Sequence, residues 1–119
     1  DYIIDWNDDT LNIYNMIRGL SPNAYTYHNK MRIKIVEVKP ILAKHFKSNI
    51  DSYHQIIRKI DTSEASNGQI ILIDPKYGII VNSTDAPLLI NIGQLQGKKV
   101  TNATTLSQQA KIRKGDLFR

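Results

Sequence analysis

The 119-residue sequence predicts a mainly β domain, a small closed or partly open antiparallel β-barrel with short flanking helices. Three observations lead there. Five or so short stretches alternate apolar and polar residues with a period of two. Turn-forming residues separate those stretches, and the hydrophobic content of 41% is near the globular average. This length suits one domain, residues 1–119, and leaves no room for two. A chain of this size buries roughly two-thirds of the surface its unfolded form exposes, so neither disorder nor a disulfide staple is needed.

Each element has a local reason. Asp8, Asp9 and Thr10 are N-cap residue types, and Ile13, Ile17 and Leu20 follow at helical spacing until Gly19 and Pro22 stop the pattern, which predicts a short amphipathic helix. From Ala24 the period becomes two. Tyr25 and Tyr27 alternate with small or polar residues, His28-Asn29-Lys30 forms a turn, and Met31, Ile33 and Ile35 alternate with Arg32 and Lys34. The result is a β-hairpin with a basic outer face. The apolar positions then shift parity to Val36 and Val38, the mark of a bulge or a coil in the strand, and Pro40 ends it. Ile50, Tyr53, Ile57 and Ile60 have helical spacing, predicting a helix near 50–60, and Ser63 to Gly68 read as a polar loop. Gln69–Asp74 and Ile79–Asn82 form two short antiparallel strands about the Pro75–Gly78 turn, with a second turn at Ser83–Ala86. Leu88, Ile90 and Ile92 alternate along a further strand ending at Gly93 or soon after. A short helix over Ala103–Ala110 precedes basic residues and a Gly115-Asp116 turn.

Composition narrows the function. With no Cys, thiolate metal sites, thiol nucleophiles and disulfides are excluded, consistent with a reducing compartment and a cytoplasmic location. The longest aliphatic run, Ile70 to Ile73, falls far short of the ~20 apolar residues that cross a bilayer as a helix. The chain opens on Asp1 rather than Met, which leads us to expect a piece of a longer protein with any active site upstream. The net charge of +5 is unevenly spread: residues 1–9 hold four Asp, residues 10–59 hold nine Lys or Arg against Glu37 and Asp51, and residues 98–119 hold six against Asp116. A fold that merges the two basic blocks would present a patch suited to a polyanion; separately they are ordinary solvated surface.

Other constellations fail on chemistry. Asp5, Asn7 and Asp9 match three calcium-loop positions, but Thr10 stands where Gly is required and Met16 where a bidentate Glu is, so helix capping accounts for them better. Gly93 to Lys99 has three residues between its glycines instead of four, and Lys99 in place of the magnesium-binding hydroxyl, which rules out a nucleotide phosphate loop. His28, His45 and His54 lack ligand spacing and are read as surface or half-buried residues outside any acid–base pair. No catalytic residue, cofactor site or metal site is predicted. What remains is a basic β domain with Tyr25, Tyr27, Tyr53 and Tyr77 as aromatic candidates. Each tyrosine is read first as a core or rim residue and second as a platform for stacked bases.

Three stretches sharpen this reading. Ile4-Asp5-Trp6 with Ile13-Tyr14-Asn15-Met16-Ile17-Arg18-Gly19-Leu20-Ser21-Pro22, then Ala24-Tyr25-Thr26 with Met31-Arg32-Ile33-Lys34-Ile35, and finally Leu95-Gln96-Gly97-Lys98-Lys99 ahead of Lys114-Gly115-Asp116 resemble, in order and spacing, the carboxy-terminal domain of methionyl-tRNA formyltransferases. The resemblance covers nearly the whole chain and is most specific in its first stretch. It implies an OB-like barrel that is not itself catalytic. The basic face of that barrel would hold the initiator Met-tRNA while an amino-terminal Rossmann-like domain, carrying the catalytic Asn, His and Asp, moves a formyl group from 10-formyltetrahydrofolate. The expected tRNA-facing residues are Lys98, Lys99, Lys111, Arg113, Lys114, Arg32 and Lys34. A monomer is expected, with Trp6 and the Ile13/Ile17 face packed on the barrel or, for Trp6, set at the boundary with the other domain.

The chain departs from the family in two places. It passes from Pro22 through Asn23 straight to Ala24, and Ile41–Asn67 replaces a short connection after Lys39. The insertion is an extra helix covering the barrel or an added RNA contact, and Lys44, Lys47, Arg58 and Lys59 within it do not separate the two. Two other readings stand beside the tRNA enzyme. One is the carboxy-terminal domain of a nucleotide-sugar formyltransferase, which has no need of the Lys98-Lys99 and Lys111–Lys114 clusters. The other is a free-standing RNA-binding module.

Overall fold

In the computed structural model, which describes residues 2–119, the elements follow in the order α1 (Thr10–Leu20), β1 (Tyr25–His28), β2 (Met31–Pro40), a 3-10 turn (Ala43–Phe46), α2 (Ile50–Lys59), β3 (Ile70–Asp74), β4 (Gly78–Val81), β5 (Leu88–Leu95), β6 (Thr101–Asn102) and α3 (Ala103–Ala110). All six strands join one sheet in the order β1-β2-β5-β4-β3. β5 organises it. Its whole length pairs with β2 on one side, while on the other Leu88–Ile90 pair with β4 and Ile92–Gly93 with β6, every pairing antiparallel. The mainly β class is as expected, but the strands do not close on themselves as a barrel. The sheet path ends at β1 and β3, and residues 115–119 run between those edges outside any strand.

The extended chain termini serve both edges. The Gly115 N–H and Asp116 carbonyl bond to Ile70, and the Phe118 N–H bonds to the Gly68 carbonyl, along β3. On the other side Arg119 and Tyr27 exchange both backbone bonds, at 2.6 and 2.9 Å, along β1. Residues 2–4 take the rest of the β1 edge, with Ile4 donating to Tyr25 and Tyr25 to Tyr2. Backbone groups at a sheet edge need such partners, and these exchanges supply them.

Two apolar clusters lie on opposite faces of the sheet. The inner one gathers Ile13 and Ile17 of α1, Ile33, Ile35 and Val38 of β2, Ile70, Ile79, Val81, Leu88 and Ile90, and Leu106 of α3, with Trp6 and Phe118. The outer one holds Ile71, Ile80 and Leu89 beneath Ile41, Phe46 and Ile56. β4 is therefore buried at every residue, which explains its unbroken aliphatic run. The insertion provides the outer cover: α2 is capped by Asn49, whose side chain accepts from the Ser52 N–H at 3.3 Å. Its buried face runs through Ser52, Tyr53, Ile56 and Ile60. This corrects the expected stripe, since Ile50 and Ile57 are 43% and 41% exposed and Ile56 fully buried. Spacing sets the angular width of a helical face, whereas the way the helix enters the sheet sets which residues point down.

The hairpin turn and the bulge form where the pattern places them. Asn29 and Lys30 both adopt positive φ, 49° and 67°, the geometry that matches strand twist in a two-residue turn. The β2–β5 register shifts on either side of Glu37. The inner-facing set steps from Ile35 to Val38 on β2 and from Gly93 to Ile90 on β5, leaving Ile92 off the expected alternation and opposite Glu37. Gly93 has a packing reason: a Cβ there would lie 2.7 Å from Leu106 Cδ2 and 2.9 Å from the Lys34 carbonyl oxygen. α3 thus approaches the sheet at backbone distance. Its own ends are fixed by the Asn102 side chain, which accepts from Thr105 N–H at 2.8 Å, and by Lys111 in the left-handed conformation.

Several polar residues sit deeper than expected. The α1 N-cap, Asp9, makes no side-chain cap bond. Asp85 accepts from the Thr10 N–H instead, and the buried Thr10 hydroxyl bonds to Ser83, Asp85 and Ala86, so the helix start is tied to a distant loop. Trp6 packs in the inner apolar cluster: it is 5% exposed, its indole N–H donates to the Thr26 hydroxyl at 3.0 Å, and Thr26 donates to the Arg119 carbonyl. His28 is the clearest correction. Read from the sequence as a surface or half-buried residue without an acid partner, it is 2% exposed, and its Nε2 lies 2.8 Å from Asp116. A separation of 88 positions hides this pair from any local pattern. The His28 contact and the Arg113 N–H hold the Asp116 carboxyl below the usual range.

Two stability predictions follow from these contacts. Ile56→Ala should cost ~2–5 kcal/mol in urea unfolding, the range for truncating a buried aliphatic side chain, and a loss below ~0.5 kcal/mol would show that α2 is not part of the packed structure. Asp116→Ala should cost ~1–3 kcal/mol by leaving buried His28 unpartnered. Because the Asp116 pKa is depressed on folding, its stabilisation is present above the unfolded Asp value of ~3.9 and disappears as pH falls through the lower folded value. The variant should therefore show a flatter dependence of stability on pH in that acidic window; an unchanged profile would remove the pair from the account.

Candidate nucleic-acid interface

α2 covers only the β3–β4–β5 part of the outer sheet face, so the β1–β2 part remains open. Residues directly opposite in an antiparallel pair share a face, and here Tyr27 pairs with Arg32 and Tyr25 with Lys34. Ile33 and Ile35 point inward with Thr26 and His28, which leaves the two tyrosines and two bases on the outer face. Apolar side chains point inward on β2, but on β1 the polar ones do, because Trp6, Arg119 and Asp116 satisfy Thr26 and His28. The Tyr25 and Tyr27 rings meet edge-on at 5.7 Å, and the Arg32 guanidinium lies 5.4 Å from the Tyr25 ring centroid. This arrangement holds the Arg32 charge over an aromatic face.

The turn from β5 to β6 adjoins this surface. Gln96 donates its backbone N–H to the Arg32 carbonyl at 2.9 Å and accepts the Arg32 N–H on its side chain at 3.2 Å. Gln94, paired with Lys34, donates its side-chain amide to the Lys98 carbonyl at 2.7 Å. Lys98 and Lys99 are exposed in this turn. The contacts thus join four of the seven sequence-predicted residues, Arg32, Lys34, Lys98 and Lys99, into one backbone-linked surface.

Lys111, Arg113 and Lys114 occupy a different stretch, between α3 and the C-terminal extended segment. Lys111 forms the α3 C-cap, where its N–H bonds back to Gln108 and Ser107. The Arg113 N–H donates to Asp116 at 2.9 Å, and so reaches the hairpin only through the Asp116–His28 pair. Lys114 faces the insertion, where its charge acts on Asp61; the Ser63 N–H is the main reason that carboxyl is held low. No hydrogen bond or ion pair links these three residues to Lys98 and Lys99 among the described residues.

The other tyrosines belong elsewhere. Tyr53 packs on Phe46 at 5.6 Å and Tyr77 donates its hydroxyl to Gln55, both against the outer apolar cluster. Lys59 is paired with Asp74 at 2.8 Å, and that contact raises its pKa. The Asp5 side chain accepts from the Asn7 N–H and that of Asp8 from the Asp9 N–H, which are turn and helix-entry contacts. Among the described residues no group of three His, Asp or Glu is placed to hold a metal ion, and no helix is long and apolar enough to cross a membrane.

The family model for the formyl transferase C-terminal domain matches residues 1–111. The chain belongs to this family. Among similar curated proteins are methionyl-tRNA formyltransferases from two strains of Prochlorococcus marinus, 44% identical over 109 residues and 39% over 112, covering 92% and 94% of this chain. A methionyl-tRNA formyltransferase from a Synechococcus species is 30% identical over 118 residues, covering 99%. These matches take in 32%, 32% and 35% of the relatives, so the chain spans about a third of their length. The resemblance carried by the Ile4-Asp5-Trp6 entry and the Arg18–Pro22 exit therefore holds at the level of the family. In this formyl transferase C-terminal domain the entry motif is structural: Ile4 pairs with β1 and Trp6 sits beside Phe118, ring centroids 5.8 Å apart.

Sequence reading missed some bases that the fold brings into play. Lys30 lies in the hairpin turn, in a shallow cleft lined also by Tyr27, Asp116 and Arg119. Lys39 lies on the outer face of β2, opposite Leu89. Counting parity from Val38 beyond the bulge would have found Lys39; no local signal places Arg119.

Proposed function

We propose that this chain is the tRNA-holding carboxy-terminal domain of a cytoplasmic, monomeric methionyl-tRNA formyltransferase. The observation that carries this reading is the open outer face of the β1–β2 hairpin, with Arg32 and Lys34 linked to the Lys98-Lys99 turn, in a chain whose relatives bear that enzyme's name. Lysine and arginine on such a face neutralise tRNA phosphates and release counterions, which gives affinity and register without base reading. Holding the tRNA body in register lowers the entropic cost of bringing the acceptor end to a reactive geometry. The formyl transfer from 10-formyltetrahydrofolate to the Met amino group of initiator tRNA belongs, in this reading, to an amino-terminal domain acting in cis. Choice of the initiator over other tRNAs belongs there too. Lys111, Arg113 and Lys114, in the separate stretch after α3, belong in this reading to the same tRNA-facing set.

The test is tRNA binding across a salt series. If Z of the named bases contact phosphates, the logarithm of affinity should fall with the logarithm of salt at a slope of ~0.7Z to ~0.9Z. Lys98→Ala/Lys99→Ala should lower that slope by about two and affect initiator and elongator tRNA alike. Salt-insensitive binding, or a double variant that binds like the parent, would reduce the face to ordinary solvated surface. The chain by itself should transfer no formyl group to Met-tRNA in a radiolabel assay, and measurable turnover would contradict the division of labour.

A further inference from the structure

Four bases gather at the end of β2 remote from the hairpin turn. Arg18, in the last turn of α1, lies 5.0 Å from the Tyr14 ring centroid, and Tyr14 meets the His45 ring edge-on at 5.4 Å. Lys39 places its ammonium 4.7 Å from the ring of Phe46, the residue after His45, while Lys44 and Lys47 flank His45 along the inserted chain. α1, β2 and the insertion thus each bring cations to one histidine. Arg18, Lys44 and Lys47 are exposed. No carboxylate among the described residues lies within ion-pair distance of any of the four, in contrast to Lys59 with Asp74.

We infer that Arg18, Lys39, Lys44 and Lys47, drawn around His45, form a second contact for the RNA phosphate backbone, separate from the hairpin and the β5–β6 turn. The inference rests on the tRNA-binding reading and extends it to the insertion. Uncompensated like charges repel one another, and a polyanion converts that repulsion into binding. Simpler roles account for part of the set: Arg18 suits the negative end of α1 and Lys39 covers Phe46. Neither role explains Lys44 and Lys47, which make no side-chain hydrogen bond or ion pair among the described residues.

His45 bears on the same point. Its Nε2 is buried without a hydrogen-bond partner. Burial, then Lys44, Lys39, Arg18 and Lys47, all act to lower its pKa, with no acidic group acting against them. The ring thus stands in a field of positive charge drawn from three separate elements. Geometry also links the two contacts. Lys34 and Lys39 share the outer face of β2, and five residues at ~3.4 Å each place them about 17 Å apart, so one extended RNA surface can meet both.

The experiment measures binding of a tRNA transcript to the 119-residue chain over a salt series. The parent is compared with Lys44→Gln/Lys47→Gln, Arg18→Gln and Lys98→Ala/Lys99→Ala, and the His45 titration is followed by NMR with and without RNA. Lys44→Gln/Lys47→Gln should lower the salt slope by about two, and Arg18→Gln by about one. The His45 pKa should rise toward its ordinary value when RNA binds. If the Lys98/Lys99 variant loses slope while the Lys44/Lys47 and Arg18 variants match the parent, the second contact is wrong and the tRNA-binding reading stands. If the parent shows no salt-sensitive binding, both fall. A His45 titration unmoved in the bound complex overturns the inference even where affinity drops. So does a Lys44/Lys47 variant that loses affinity only for phosphatidylserine vesicles, which would assign the patch to anionic lipid.

Discussion

A small open sheet must find partners for two edges, and here the extended chain termini provide them. Residues 115–119 bond to β3 along one side and, through Arg119, to β1 on the other, while residues 2–4 complete the β1 edge. Much else hangs on this closure. The Trp6 indole, the Thr26 hydroxyl and the Arg119 carbonyl form a chain of buried hydrogen bonds across it. Phe118 fills the space between Trp6 and His28, with ring centroids 5.8 and 6.1 Å away. His28 and Asp116 add a charge-assisted contact at the hairpin end. Without these contacts β1 would be an exposed edge strand bearing two tyrosines, a surface prone to pairing with another chain.

Closure on one side leads to asymmetry on the other. α1 and α3 fill the inner face, and Leu106 reaches the backbone at Gly93, where no side chain intervenes. The insertion then covers the outer face of β3, β4 and the start of β5 with Phe46, Tyr53 and Ile56. It stops short of β1. The part of the outer face left open is the part where Tyr25, Tyr27, Arg32 and Lys34 stand, so the cover delimits the basic surface as well as stabilising the sheet.

These charges stand on ordered backbone. Arg32 and Lys34 lie on a strand paired on both sides, and the Lys98 turn is tied to it through Gln94 and Gln96. A surface held this way would bind any partner with little ordering cost. The Tyr25–Tyr27 pair adds flat apolar area beside the bases.

The sequence by itself determined those features whose cause lies within a few residues. The α1 repeat of Ile13 and Ile17, the Asn29-Lys30 turn, the parity change after Ile35, α3 and the two aliphatic strands follow from period, turn chemistry and capping. The family was legible because its entry motif is contiguous. Tertiary structure alone decided the rest. Thr10 is anchored by Asp85, 75 residues away, and His28 by Asp116, 88 residues away. β6 is two residues long and exists only because β5 offers an edge there. The face of α2 that turns inward, and the gathering of Arg18, Lys39, Lys44 and Lys47 about His45, depend on how separate elements meet. Local period fixes which side chains share a face; only packing between distant segments fixes what that face meets, and so which charges stand together.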